Sequence, residues 1–275
     1  MKKNVKIEEK LKNKVVAIHN FDEFKNNYVN HLVNKSFIFR GCCDLRHKLV
    51  PGFLRKLHDE RKKNDDLLTF MHKEDKIFHD FAANYVKRKA KGKNDTEHIN
   101  LMHTYEFFLV GQHYGFQTKL LDFTKDINVA LAFVAYDWSG STSKDKENGV
   151  LYVLDKNIFL NTGQNISNYD RILSDEKNID NLVYGDKKIF DNYSRILLEP
   201  NSKSKSDVRS RISIQSGLFV YFKDFDQEHC VIKDDLCFKI FEFDSSCKPD
   251  IKKYLKEQVL KFDKKTKIDS LDVLR

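Results

Sequence analysis

Apolar residues recur at helical spacing along 21–33, at Phe21, Phe24, Tyr28, Leu32 and Val33. Asn20 precedes them and Glu23 follows three residues on, the pattern of a capping box, so a helix is expected to start at Phe21. It leads into FIFRG (37–41), in which three apolar residues read as a strand, Arg40 follows them, and Gly41 closes the run. In LVPGFLR (49–55), Pro51 and Gly52 mark a turn ahead of Arg55. Leu67, Phe70, Met71, Glu74, Phe78, Phe81 and Tyr85 then share one helix face, which puts the Glu74 carboxylate on an apolar side where it needs a cationic partner. A second helix is predicted over 96–110.

The stretch GQHYGFQTKLLDFTKDINVALAFVAYDW (111–138) combines two glycines, a short extended run and a new helix. Alternation in TKLLDFT sends Thr118, Leu120 and Asp122 to one face and Lys119, Leu121 and Phe123 to the other, which leaves Asp122 partly buried. Thr124 or Asp126 caps the helix, whose inner face is Ile127, Ala130, Leu131, Val134 and Trp138. Beyond it the periodicity changes from helical to extended, with strands in VLYVLD (150–155), SRILLEP (194–200), RISIQSGLFVYF (211–222) and FKIFEF (238–243). An amphipathic helix over 249–262 closes the pattern. Helices early and strands late predict an α+β fold, a helix-rich N-terminal half packed on a mixed, mainly antiparallel sheet. The expected organisation is an extension over 1–20, one domain over 21–246, and a C-terminal helix and tail over 247–275 on the same domain.

Composition narrows the class of protein more than its chemistry. The chain has 275 residues, 40% of them hydrophobic and 33% charged, and no apolar run near the ~20 residues of a membrane span. Acidic residues interrupt the basic start MKKNVKIEEKLKNK before any apolar stretch develops, so a cytoplasmic protein is expected. Five cysteines without a CxxC pair suit neither a disulfide framework nor a zinc site. A net charge of +8 favours polyanionic partners, although the lysines are interleaved with acids.

Phosphate-loop, HExxH and GxSxG patterns are absent from the sequence, so the chemistry has to come from polar residues set in apolar segments. Arg40 offers a fixed fork of donors for phosphate or carboxylate oxygens, and Gly41 lets a ligand approach the backbone. The same arginine is equally placed to form an ion pair with Glu74 or Asp122. His113, between Gln112 and Tyr114, suits a polar pocket or caps helix carbonyls. Asp122 can orient a ribose hydroxyl or a histidine, or bond the first amides of the next helix. Gln215, on the strand face of Arg211 and Ser213, can read a ligand amide or sugar or bond an edge backbone. No metal ligand set is proposed.

FIFRG, LVPGFLR, EDKIFHDF, QHYGFQTKLLDFTKDINVALAFVAY and RISIQSGLFV together resemble the FRG domain of bacterial and phage proteins, over roughly 21–243. Lys119 and Phe123 stand where that family usually has arginine and tryptophan. More distantly, the order of an arginine strand ending in glycine, a short strand, an ALAF helix and a late polar strand residue is similar to ADP-ribosyltransferases of the R-S-E type. That similarity implies a split sheet and NAD as substrate, with Arg40, Thr118, Asp122 and Gln215 in catalysis. It implies cofactor contacts from Arg40, Gly41, Gln112, His113, Tyr114 and Thr124. Gln215 takes the place of the usual glutamate and carries no charge, so either Asp122, Glu199 or another acid supplies it, or the chemistry differs. The implied role is a toxin-like effector in phage defence or a toxin–antitoxin pair, modifying nucleic acid or protein, with an antitoxin as a further partner. The alternative is a non-catalytic module that binds a nucleotide or polyanion.

Overall fold

The computed structural model describes residues 15–33, 36–46, 49–53, 55, 118, 120–137, 142–156, 195–198, 217–222 and 238–266. The elements in chain order are β1 (Val15–Ile18), α1 (Phe21–Phe24) with a π-helical turn Lys25–Val29, α2 (Asn30–Leu32), β2 (Phe37–Cys42), β3 (Leu120–Thr124) and α3 (Ile127–Ala135). β4 (Gly149–Asp155), β5 (Arg195–Leu198), β6 (Gly217–Phe222), β7 (Lys239–Phe243) and α4 (Lys248–Thr266) follow. The seven strands form one sheet in the order β1-β7-β4-β2-β3-β6-β5. Only β1 and β7 are parallel; each of the other pairings is antiparallel. An α+β fold on a mixed, mainly antiparallel sheet is therefore correct. The helices predicted over 67–85 and 96–110 lie outside the described residues. β1 adds an edge strand from within the stretch 1–20 that the pattern sets apart as an extension.

Alternation along the strands divides the core between the two faces of the sheet. On one face Phe37, Phe39, Leu151, Val153, Phe241 and Phe243 pack with Phe21 and Phe24 of α1, Ala130, Leu131 and Val134 of α3, and Ile251 and Leu255 of α4. Phe24 meets Phe241 and Phe243 edge-on at ring distances of 5.0 and 4.9 Å, an arrangement the ring quadrupoles favour. On the other face Ile38, Cys42, Leu121, Phe123, Tyr152, Leu154, Leu218 and Val220 pack with Leu49 and Phe53 of the segment after β2.

Local chemistry accounts for where the helices begin. The Asn20 side chain accepts the Glu23 amide at 3.2 Å and opens α1 as the capping pattern predicts. The π turn after α1 is wider than an α turn, and it brings Val29 into the core while Val33 ends 69% exposed. A strict 3.6 period had assigned Val33 inward. At α3 the cap is Asp126, whose carboxylate accepts the Asn128 amide at 2.8 Å, and Thr124 accepts the Asp126 amide at 3.0 Å just before it.

Two glycines let α3 lie against the sheet. A Cβ on Gly41 would fall 1.8 Å from the Ala130 carbonyl oxygen, and one on Gly149 would fall 2.7 Å from Val134 Cγ1. The glycine of FIFRG therefore admits the backbone of a helix, where the sequence allowed for the approach of a ligand. At its C-terminal end the molecule is held by Lys248 of α4, a buried residue that donates to the Cys43 carbonyl at 2.9 Å and the Lys144 carbonyl at 2.6 Å.

Candidate functional site: an arginine pair at a parting in the sheet

The sheet is continuous but unevenly joined. β2 pairs with β4 along six successive positions, whereas β2 and β3 meet at the single pair Phe39 and Thr124. Continuing that register would set Gly41 opposite Asp122, yet no pairing is made there. The strands part, and Arg40 reaches into the gap. Its Nη1 donates to the Asp122 carbonyl oxygen at 2.8 Å, a bond from side chain to backbone where a ladder bond would otherwise lie. The Asp122 carboxylate lies 3.7 Å from the same nitrogen.

Exposure differs sharply between these partners. The Arg40 side chain is 15% exposed and that of Asp122 53%. Asp122 is thus not the partly buried acid that alternation predicts. Leu121 and Phe123 turn into the core on the arginine's face, while Asp122 points to the opposite face and stays open to water. The Asn128 amide, in the first turn of α3, is bonded by Asp126, so Asp122 is not the cap of that helix.

Arg55 joins Arg40 from the segment after β2. Phe53 donates its amide to the Thr118 carbonyl at 3.2 Å, which ties this segment to the residues leading into β3, and the Arg55 amide closes a turn on the Pro51 carbonyl at 3.1 Å. The Arg55 guanidinium donates from Nη1 to the Val50 carbonyl at 3.0 Å. Burial, then the neighbouring positive charge of Arg40, pushes its pKa down, yet an arginine remains a cation in a protein. Burial pushes the nearby Cys42 thiol up, while the charges of both guanidiniums pull the other way. The thiol is neutral at physiological pH, and the charge of the cluster among the described residues is two guanidiniums against the single carboxylate of Asp122.

Thr118 and Thr124 flank β3 and both are buried. The Thr118 hydroxyl accepts the Leu120 amide at 3.2 Å and that of Thr124 accepts the Asp126 amide, so both oxygens shape the backbone at the ends of the strand. Arg40 and Asp122 are thus brought together at the parting, while Thr118 stands at the opposite end of β3, bonded to Leu120 and Phe53. Thr124 pairs with Phe39 at the edge of the parting, and Gly41 faces away into α3. Gln112, His113, Tyr114, Gln215, Glu74 and Glu199 lie outside the described residues. Sequence reasoning noted Arg55 as a polar residue in an apolar segment and gave it no role; the turn at Pro51 and Gly52 was the available signal. Among the described residues no group of three or more histidine, cysteine or acidic side chains is arranged to hold a metal ion.

An α+β protein with an arginine pair at a sheet parting is the class these observations define. Residues 35–142 match the model of the FRG domain family. The match supports an FRG domain over these residues, which run from the turn before β2 past α3 and include Arg40, Arg55 and Asp122. It is narrower than the resemblance drawn from the motifs, and RISIQSGLFV falls outside it. No curated protein and no solved structure matches the chain. Among the described residues no helix is long and apolar enough to cross a membrane.

Proposed function

We propose that the protein is an NAD-dependent ADP-ribosyltransferase whose substrate sits at the parting of β2 and β3. The observation that carries the reading is the half-exposed Asp122 carboxylate beside the largely buried Arg40 guanidinium, where β2 and β3 part. An arginine fork suits the diphosphate of a dinucleotide, and a carboxylate within reach of the ribose stabilises positive charge developing at its anomeric carbon. The reaction breaks the bond between nicotinamide and ribose, with the electron pair leaving on nicotinamide. A nucleophile of the acceptor then bonds to the anomeric carbon and releases its proton. Asp122 supplies the negative charge that Gln215 lacks. A sheet joined by one pair between its four-strand and three-strand sides supports this reading.

The basic balance of the chain favours a nucleic acid as acceptor over a protein. A toxin-type effector, acting in antiviral defence or held in check by an antitoxin, is the biological role that goes with this chemistry. Incubating purified protein with NAD labelled in the adenylate half, together with RNA, DNA and protein fractions, tests the activity directly. Label is expected in the nucleic acid with stoichiometric release of nicotinamide. Asp122→Asn is expected to lower kcat by about a hundredfold or more with little change in KM, the loss typical of removing one transition-state stabiliser. Neither label nor nicotinamide release from the wild-type protein would overturn the reading. The alternative, a non-catalytic module for a nucleotide or polyanion, is favoured by the excess of guanidinium over carboxylate in the cluster. It requires NAD to bind without being consumed.

A further inference from the structure

Away from the parting, at the outer edge of the four-strand side, β1 and β7 bring a histidine and an aspartate together. Their last register pair is Ile18 with Phe243, so one further step along both strands sets His19 beside Asp244. His19 Nδ1 lies 2.5 Å from Asp244 Oδ2. The Asp244 amide donates to the Ile18 carbonyl at 3.0 Å, and the Cys247 thiol donates to the same carbonyl at 3.4 Å. The next amide, that of Ser245, donates to Asn148 Oδ1 at 2.9 Å. Backbone bonds on both sides therefore fix where the ring and the carboxylate stand.

A carboxylate only accepts, so the proton of this bond sits on Nδ1, and the lone pair of the neutral ring is left on Nε2. The His19 side chain is 74% exposed and that of Asp244 38%, which holds one edge of the ring and leaves the other open to water. An acceptor behind one ring nitrogen orients the imidazole and raises the basicity of the other, as it does in metal-bound histidines. A metal site would need further ligands, and among the described residues no group of three or more is arranged for one. A single oriented nitrogen can instead attack an electrophile and carry the group it takes. An acyl group on imidazole is soon lost to water, whereas a phosphoryl group there persists at neutral and alkaline pH.

We infer that His19 is a phosphoryl-acceptor site, modified at Nε2 by a small donor with a labile phosphoryl group, with Asp244 as its positioning residue. The Nε2 lone pair forms the new bond to phosphorus. The bond from phosphorus to the leaving group breaks with its electron pair on the leaving group, and the Nδ1 proton stays in the bond to Asp244. The site lies on the far side of β7, β4 and β2 from the parting and does not rest on ADP-ribosyl transfer.

Incubating the full chain with potassium phosphoramidate, whose leaving group is ammonia, tests the site. Peptide mapping at alkaline pH locates the phosphoryl group, and phosphorus NMR distinguishes the two ring nitrogens. His31 is the internal reference, since it is exposed on α2 and makes no ion pair among the described residues. His19 is expected to react at Nε2 about tenfold faster than His31, and Asp244→Asn to remove that advantage, the lower end of what losing the acceptor behind a histidine costs. His19→Gln should abolish the adduct in this peptide with an unchanged circular dichroism spectrum, because the side chain lies outside the core. Acetyl phosphate offers an acyl and a phosphoryl group together, and only the phosphoryl adduct is expected to remain. Equal rates at His19 and His31, reaction at Nδ1, an undiminished rate in a folded Asp244→Asn protein, or a lasting acetyl adduct would each overturn the inference.

Discussion

Within FIFRG, neighbouring residues answer to different demands. Arg40 points to the parting and Gly41 to the opposite face, where the Ala130 carbonyl leaves no room for a methyl group. Gly41→Ala should destabilise the protein by about 3 kcal/mol or more, at or above the upper end for overpacking, because the obstacle is a helix backbone and not a side chain that can turn away. Urea denaturation measures this directly. A loss near the ~0.5 kcal/mol scale of ordinary surface changes would show that α3 can shift outward at little cost. At this scale the sequence exposed the charged residue and hid its partner. A single arginine behind three apolar residues is visible in any reading, and Asp122 was one of two acids offered to it. That the same arginine also bonds the Asp122 backbone depends on where β2 and β3 cease to pair, which no local pattern encodes.

Among the elements, α4 is the clearest case of a helix anchored by polar bonds as well as by its apolar face. Ile251 and Leu255 enter the core, and the Lys248 ammonium holds two carbonyls from the end of β2 and from the 3-10 turn Thr142–Lys146. Burial, before any of its neighbours, lowers the Lys248 pKa from 10.5. The unfolded chain therefore binds more protons than the folded one between that lowered value and 10.5, and this lysine's contribution to stability rises with pH across the window. The thiols of Cys42, Cys43 and Cys247 act in the opposite sense, since burial raises them from 9.0. For Cys42 and Cys247 that effect is common to the wild-type protein and to Lys248→Met; Cys43 is held down by the Lys248 charge, and its further rise in the variant widens the gap in the same direction. The stability gap between the two proteins, measured by urea denaturation from about pH 7 to about pH 10, should widen in favour of the wild type as pH rises. A constant gap would mean that the lysine keeps its proton throughout. Most elements were legible from periodicity and caps, down to Asn20 at the start of α1. The π turn was not, because one extra residue in a turn changes which residues face inward without any marker in composition.

For the molecule as a whole, mixed strand content was legible and strand order was not. The alternating segments give each strand an inward face, but nothing in them says that β7 inserts between β1 and β4, or that β2 and β3 touch at one pair. Those relations come from contacts between residues far apart in sequence, such as Val15 with Ile240, Gly149 with Phe243 and Phe39 with Thr124. The parting also bears on what can fold by itself. The chain passes between the four-strand and three-strand sides at β2 to β3, β3 to β4, β4 to β5 and β6 to β7, so neither side is a continuous piece of sequence. The stretch 35–142 contains β2 and β3, which share one pair, and omits β4 and β6, their main partners. Expressed alone, it is expected to show no cooperative thermal transition by circular dichroism, while the full chain melts as a unit; a sharp transition in the fragment would contradict this. The weakest of the described joins is crossed by four chain connections, as many as any other join in the sheet, so the two sides of the parting are interleaved in sequence and neither can leave with a separate piece of the chain.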